Sequence, residues 1–322
     1  MSTRSDGAGA PSESRTAIYA SLAGDVAIAA TKFVAAVITG SSAMIAEGIH
    51  SLVDASNSLL LLLGIQRSRK PPDVHHPFGH GQELYFWTFI VAVVIFGVGG
   101  GLSVYEGITR VRRPAPMQNI TWNYIVLAAA MAFQLIASTV AFRQFRRVVR
   151  GKGVFHAAHA SKDPTIFAVV FEDAAGLLGL VIAFLGILLG HRLQLPVLDG
   201  VASIAIGVVL AAVAVFLAYE SRSLLVGESA DPRMITAISE LVEEDSSVVR
   251  VTRPLTMYFG PRHVLLNLDI QFRASLSAAD VAAAVERLER TIRQRFPVIQ
   301  QIFIEARAVA AREPASVPPS GL

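Results

Sequence analysis

The sequence predicts an α-helical membrane protein with six transmembrane helices, followed by a small two-layer α/β unit of element order αββαβ. Three observations carry this. The 322-residue chain is 53% hydrophobic and only 16% charged, with a mean hydropathy of +0.52. An ordinary soluble domain carries about 25% charged residues, so a soluble chain this apolar could not cover its own surface. Six apolar stretches follow one another, each near or above the ~20 residues that cross ~30 Å of hydrocarbon. Beyond about residue 226 the chain turns mixed and charged, with the periodicities of a soluble fold. A plain cytosolic enzyme and a disordered chain are excluded. Cysteine is absent, which excludes disulfides, thiolate metal sites and a cysteine nucleophile. The net charge of +3 reports topology in such a chain, and no basic–aromatic patch suited to nucleic acid is present.

Residues 1–15 are Ser, Gly, Ala and Pro with scattered charge, and are expected to form a disordered cytoplasmic tail. The apolar stretches run roughly over 16–39, 42–66, 83–108, 121–145, 164–190 and 198–221, punctuated by Gly40, Pro114, Pro164 and Pro196. The second, third and fifth are rich in Gly or Ala, which permits close helix packing. With the N-terminus inside, the cytoplasmic segments carry Arg4, Arg15, Arg67, Arg69, Lys70, Arg143, Arg146, Arg147, Arg150, Lys152 and Lys162. The other side carries Arg110, Arg112, Arg113 and Arg192. Eleven against four places both termini in the cytoplasm, with Arg110, Arg112 and Arg113 read as interfacial anchors.

In the last third, Pro232–Asp245 reads as a helix and Val248–Tyr258 as a strand. His263–Phe272 alternates, with Val264, Leu266, Leu268, Ile270 and Phe272 on one face. Ser277 with Asp280 forms a capping box for a helix whose core stripe is Val281, Val285, Leu288, Ile292 and Phe296. Ile299–Ile304 is a last strand, and residues 310–322 are expected to be disordered.

Glu47, His50, Asp54 and Asn57 on the second span are spaced three, four and three apart, which puts them on one helical face. Ionisable groups inside a bilayer are costly and mostly functional. His50 and Asp54 either bond to each other or a neighbouring helix, or hold a divalent cation between a nitrogen and a carboxylate. Glu172 and Asp173 sit in the fifth span, inside an otherwise apolar run. Adjacent carboxylates repel unless a cation neutralises them; the alternative is one protonated acid and one reaching the interface. Both pairs lie about eight to twelve residues into their spans, some 12 Å at 1.5 Å per residue for the acids, so the two spans can share one site. Asp25 and Lys32 share a face of the first span and either pair with each other or contact the site, the structural ion pair being the expected outcome, and Asp199 is read as a helix N-terminal acid near the interface. In the loop after the second span, Asp73, His76 and His80 have ligand spacing for a divalent metal, or form a polar turn at the membrane surface. His156 and His159 carry a weaker version of the same signal.

The stretch SAMIAEGIHSLVD at 42–54, the stretch HPFGHG at 76–81 and the six-span plan with an αββαβ tail resemble the cation diffusion facilitator (CDF) family of divalent metal–proton antiporters. The resemblance covers about residues 16–308. It implies a six-helix transmembrane cation efflux domain over 16–225 and a cytoplasmic ferredoxin-like dimerisation domain over 226–309. It also implies a homodimer and a tetrahedral transport site with two ligands from each of the second and fifth spans. His50 and Asp54 match the first pair and Asp173 the last member. The remaining position falls on Val169, which cannot bind metal. Glu172, next to Asp173, is one replacement, although it points about 100° round the helix from it; Glu47 or a water is the alternative replacement. Asp73, His76 and His80 match a loop site found in members of the family. No binuclear metal site is expected in the terminal domain, because the matching positions fall on Asn267 and on Ile304-Glu305-Ala306, and its one histidine is His263.

The expectation is therefore a proton-coupled antiporter that exports a divalent cation, Zn²⁺ first with Mn²⁺, Fe²⁺ or Co²⁺ as alternatives. No cofactor, enzymatic activity or nucleic-acid partner is expected. The place is the plasma or inner membrane of a prokaryote. The rival readings are a membrane metalloenzyme with Glu172 as base and a metal-binding protein without transport.

Overall fold

The computed structural model describes residues 26–114, 120–149, 162 and 164–307. The two terminal tails, Asp25, His156 and His159 lie outside the described residues. The chain separates into two units that divide between Leu225 and Val226.

The first unit is helical throughout. Its helices are α1 (Val26–Thr39), α2 (Ser42–Ser68), α3 (Glu83–Arg112), α4 (Ile120–Val149), α5 (Pro164–Arg192) and α6 (Val197–Val226). Among the described residues, α2, α3, α6 and the Ala168–Arg192 part of α5 are long and apolar enough to cross a membrane; α1 and the Thr121–Ile136 part of α4 are shorter apolar helices. The chain is thus a multi-pass membrane protein.

Gly40 at φ +65° ends α1, a backbone that an L side chain rarely adopts. Ser41 then caps α2, its hydroxyl accepting from the Met44 N–H, so one short turn reverses the chain. Helix α3 widens to a π-helix over Ile95–Gly101, a stretch with four glycines. The closest backbone approach is between α3 and α6. A Cβ on Gly107 would lie 2.7 Å from the Gly200 carbonyl oxygen, and one on Gly207 would lie 2.8 Å from that of Gly100. Both pairs are seven residues apart along their helices, so bare backbone meets bare backbone over two turns.

The second unit holds α7 (Pro232–Glu243), β1 (Val248–Val251), β2 (Leu255–Gly260), β3 (His263–Phe272), α8 (Ala278–Arg295) and β4 (Ile299–Arg307). Strand β3 is central. Strands β1 and β2 pair antiparallel with successive parts of it, and β4 pairs parallel along nearly its whole length. The expected single strand over Val248–Tyr258 is therefore two, interrupted before Leu255 by Pro254, which has no N–H to give the ladder. The alternation of β3 translates directly into burial: Val264, Leu266, Leu268, Ile270 and Phe272 are all at or below 4% exposure. They share one core with Ile238 and Val242 of α7 and Ala284, Leu288 and Ile292 of α8. The Ser277–Asp280 capping box is formed in both directions.

Candidate metal centre

On α2 the His50 Nδ1 lies 3.4 Å from an Asp54 carboxylate oxygen, as the i, i+4 spacing requires. The imidazole is 3% exposed. Its Nε2 has no hydrogen-bond partner among the described residues. That nitrogen faces α5: a Cβ on Gly176 would lie 2.8 Å from it. The glycine leaves the room the ring occupies.

On α5 the two acids turn to different neighbours. Asn57 of α2 donates through Nδ2 to Glu172 Oε1 at 3.3 Å. Gln134 of α4 donates through Nε2 to Asp173 Oδ1 at 3.1 Å. The same amide nitrogen would lie 3.4 Å from a Cβ on Gly176. His50, Gln134 and Asp173 therefore converge on Gly176, while Asn57 and Glu172 meet nearer the Ser68 end of α2. Neither Gln134 nor Gly176 was singled out from the sequence. Gln134 carried a signal, as a strong polar group in the middle of an apolar run; the notch at Gly176 did not. Val169, in the position that lacks a ligand type, is 43% exposed.

The expected partner of Lys32, Asp25, lies outside the described residues. The partner of Lys32 among the described residues is Glu47, at 2.9 Å, with a second bond to the Ser51 hydroxyl at 2.8 Å. Both side chains are buried, at 4% and 0% exposure. A cation on α1 has an acid within reach on the antiparallel α2, and this cross-helix register is invisible to spacing along one helix. Asp199 sits in the first turn of α6, as expected of a helix N-terminal acid, and is fully buried. Its carboxylate accepts from the hydroxyls of Ser41 and Ser42 and from the backbone N–H groups of Ser42 and Ala43, at 2.5–3.3 Å. It thereby closes the open N–H groups of α2 from outside that helix. Arg110, read as an interfacial anchor, is 14% exposed and donates to the Gly40 carbonyl at 2.6 Å, with Asp199 at 3.7 Å.

The loop between α2 and α3 forms a second cluster. Asp73 Oδ1 accepts from the backbone N–H groups of His75 and His76 at 2.9 and 2.7 Å. These bonds, that of His76 foremost, hold the Asp73 carboxyl below the usual carboxylate range. His76 Nδ1 and His80 Nε2 approach its two oxygens at 3.3 and 3.5 Å. Gly79 at φ +86° supplies the turn between them. One potential ligand atom from each of Asp73, His76 and His80 lies within 4.8 Å of the others, the one such group of three or more among the described residues. His50, Asp54, Glu172 and Asp173 do not close that far. In the second unit, Asn267 lies in the sheet between Leu255 and Phe303, and Asp269 is paired with Arg307 at 3.0 Å.

The cation efflux transmembrane domain family matches residues 18–226, about two thirds of the chain. The chain is 36% identical to the mitochondrial proton-coupled zinc antiporter of Homo sapiens over 313 residues, covering 85% of this chain and 55% of that protein. It thus spans about half the length of that relative. It is 24% identical to the manganese efflux system protein MneP of Bacillus subtilis over 297 residues, covering 90% of this chain and 95% of MneP. A shorter match, 36% over 92 residues, is to the magnetosome protein MamM of Paramagnetospirillum magneticum. With the HxxxD face of α2, the carboxylates of α5 and the histidine loop in place, the chain belongs to the cation diffusion facilitator family of metal transporters.

Proposed function

We propose that the protein is a proton-coupled antiporter that exports a divalent cation from the cytoplasm, with Zn²⁺ as the leading cargo. The observation that carries this is the convergence of His50 of α2 with Asp173 and Gln134 at Gly176 of α5, in otherwise apolar helices, with Asp54 beside His50 and Glu172 next to Asp173. A dry setting makes uncompensated carboxylates costly and a divalent cation the natural counter-charge. The zinc antiporter relative supports the cargo and the coupling.

In this reading all six helices span the membrane, and both termini, with a ferredoxin-like second unit, are cytoplasmic. The second unit pairs two copies of the chain, and the protein resides in a prokaryotic plasma or inner membrane. His50, Asp54 and Asp173 bind the cation, and Glu172 takes the place that Val169 cannot fill. The Asn57 amide supports that role, because it holds the Glu172 carboxylate toward α2. Cation entry displaces protons, since ligands bind deprotonated; reprotonation on the far side releases it. Alternating access of the helices around a fixed site completes the cycle. Asp73, His76 and His80 form a second metal site in the loop.

Replacing Asp54 with Ala abolishes Zn²⁺ flux into vesicles holding the reconstituted protein; full flux would overturn the site. A second cargo, Mn²⁺, is favoured by the donor set, which holds one nitrogen among oxygens. Competition of Mn²⁺ against Zn²⁺ flux decides between them, and Glu172→Gln is expected to weaken Mn²⁺ more than Zn²⁺.

A further inference from the structure

The pair Lys32–Glu47 lies one helical step from His50, toward the Ser41 end of α2, and neither side chain belongs to the ligand set above. Only one oxygen of Glu47 is used by the pair. Oε2 accepts from Lys32, whereas Oε1 has no hydrogen-bond partner among the described residues, and the residue is fully buried. This oxygen faces α5 at Gly179, where an added Cβ would collide with it. The arrangement repeats that of His50, whose unpartnered Nε2 faces Gly176. Glu47 and His50 are three apart on α2, and Gly179 and Gly176 are three apart on α5. Side chains at that spacing are neighbours, about 5–6 Å between Cβ positions. Two buried acceptors, one oxygen and one nitrogen, thus look into adjacent glycine notches along a single seam. An unpaired buried acceptor is costly, and two in succession at one seam call for a shared electrophile.

We propose that Glu47 is a second cation station, in which Glu47 Oε1 and His50 Nε2 receive the divalent cation on its way from the transport site toward the Ser41 end of α2. Lys32 sets the strength of this station. Its ammonium already neutralises Glu47, so the cation meets the free Oε1 of a charge-compensated carboxylate and is held only weakly. A weak station passes the ion on, whereas a free carboxylate would trap it. Ser51 also accepts from the ammonium, while Glu47 Oε1 lies against α5 at the side-chain-free Gly179. The proposal rests on the transport-site reading, and on α2 running from the outer face inward.

The test is Zn²⁺ flux and equilibrium Zn²⁺ binding of the full-length protein, in liposomes and detergent respectively. The double variant Lys32→Met with Glu47→Gln removes both charges together, which buried pairs generally tolerate. If the pair were only structural, this variant would transport like wild type. The proposal predicts equilibrium binding within threefold of wild type and a maximal flux lowered tenfold or more. Flux within twofold of wild type overturns it, as does a matching loss of binding. Gly179→Ala, whose methyl fills the notch against Glu47 Oε1 while both charges of the pair are kept, is expected to slow flux in the same way, and wild-type flux there also overturns the proposal. Asp54→Ala is run alongside: undiminished flux in that variant indicts the transport site itself, whereas loss of flux there with normal flux in the double variant indicts only the second station.

Discussion

At the scale of single residues, the site is defined as much by amides and glycines as by its acids. Asp173 is steadied by Gln134 and Glu172 by Asn57, both from neighbouring helices. A neutral amide can orient a carboxylate without contributing a charge that would compete with the cation. Groups that orient metal ligands in this way commonly carry ten- to hundredfold in affinity. Gln134→Leu is therefore expected to raise the Zn²⁺ concentration for half-maximal flux by about tenfold, while the maximal rate stays within a few-fold of wild type. A titration of initial flux against Zn²⁺ reads both numbers, and an unchanged half-maximal concentration would remove Gln134 from the account. What the sequence showed at this scale was identity and spacing along one helix: His50, Asp54, Glu172 and Asp173 stood out because ionisable groups are rare in apolar runs. It could not show that Lys32 meets Glu47, because that contact depends on how α1 and α2 lie against each other. Nor could it show the role of Gly176, since a residue without a side chain announces itself only through what approaches it.

At the scale of elements, two local constructions carry tests. The Asp73–His76–His80 turn is held by backbone bonds to Asp73 and by the positive φ of Gly79. Replacing His76 and His80 together with Ala is expected to reduce the Zn²⁺ bound per chain by one and to leave flux above half of wild type. Elemental analysis of the purified variant against wild type checks the stoichiometry. In the second unit, Arg287 of α8 forks onto Asp245 at 2.8 and 2.9 Å, tying the end of α7 to the helix across from it. The Arg287 hydrogen bonds hold the Asp245 carboxyl down to about 2. A carboxyl depressed on folding stabilises the fold above its unfolded value of about 3.9, and that contribution is lost as pH falls from about 4 through about 2. The pair is partly exposed, so its contribution is modest. Asp245→Asn is expected to lower the melting temperature of the second unit by about 4 °C at pH 5 and by less at pH 2.5. Equal pH dependence in variant and wild type would contradict this. The alternating pattern of β3 and the Ser277 capping box were legible in sequence because each is a local rule. The break between β1 and β2 was legible only as Pro254, whose consequence depends on a ladder with β3.

At the scale of the whole molecule, charged and polar side chains in the apolar first unit are matched across helices, and among the described residues three of these buried junctions involve α2. The site joins α2, α4 and α5, Lys32 and Glu47 join α1 to α2, and Asp199 joins α6 to the start of α2. Helix α2 takes part in all three, so its position governs the others. The composition, with 16% charge in an apolar chain, made the membrane class legible; the topology of the junctions needed coordinates, since each is made between different helices and not along one. The central claim is that cation and proton move in opposite directions through the His50–Asp54–Asp173 site. It is tested most directly in liposomes that hold the reconstituted protein and an internal pH dye. Imposing a Zn²⁺ gradient should drive proton movement opposite to Zn²⁺ in the wild type and none in Asp54→Ala. Proton movement that is the same with and without Zn²⁺, or undiminished in Asp54→Ala, would contradict the account.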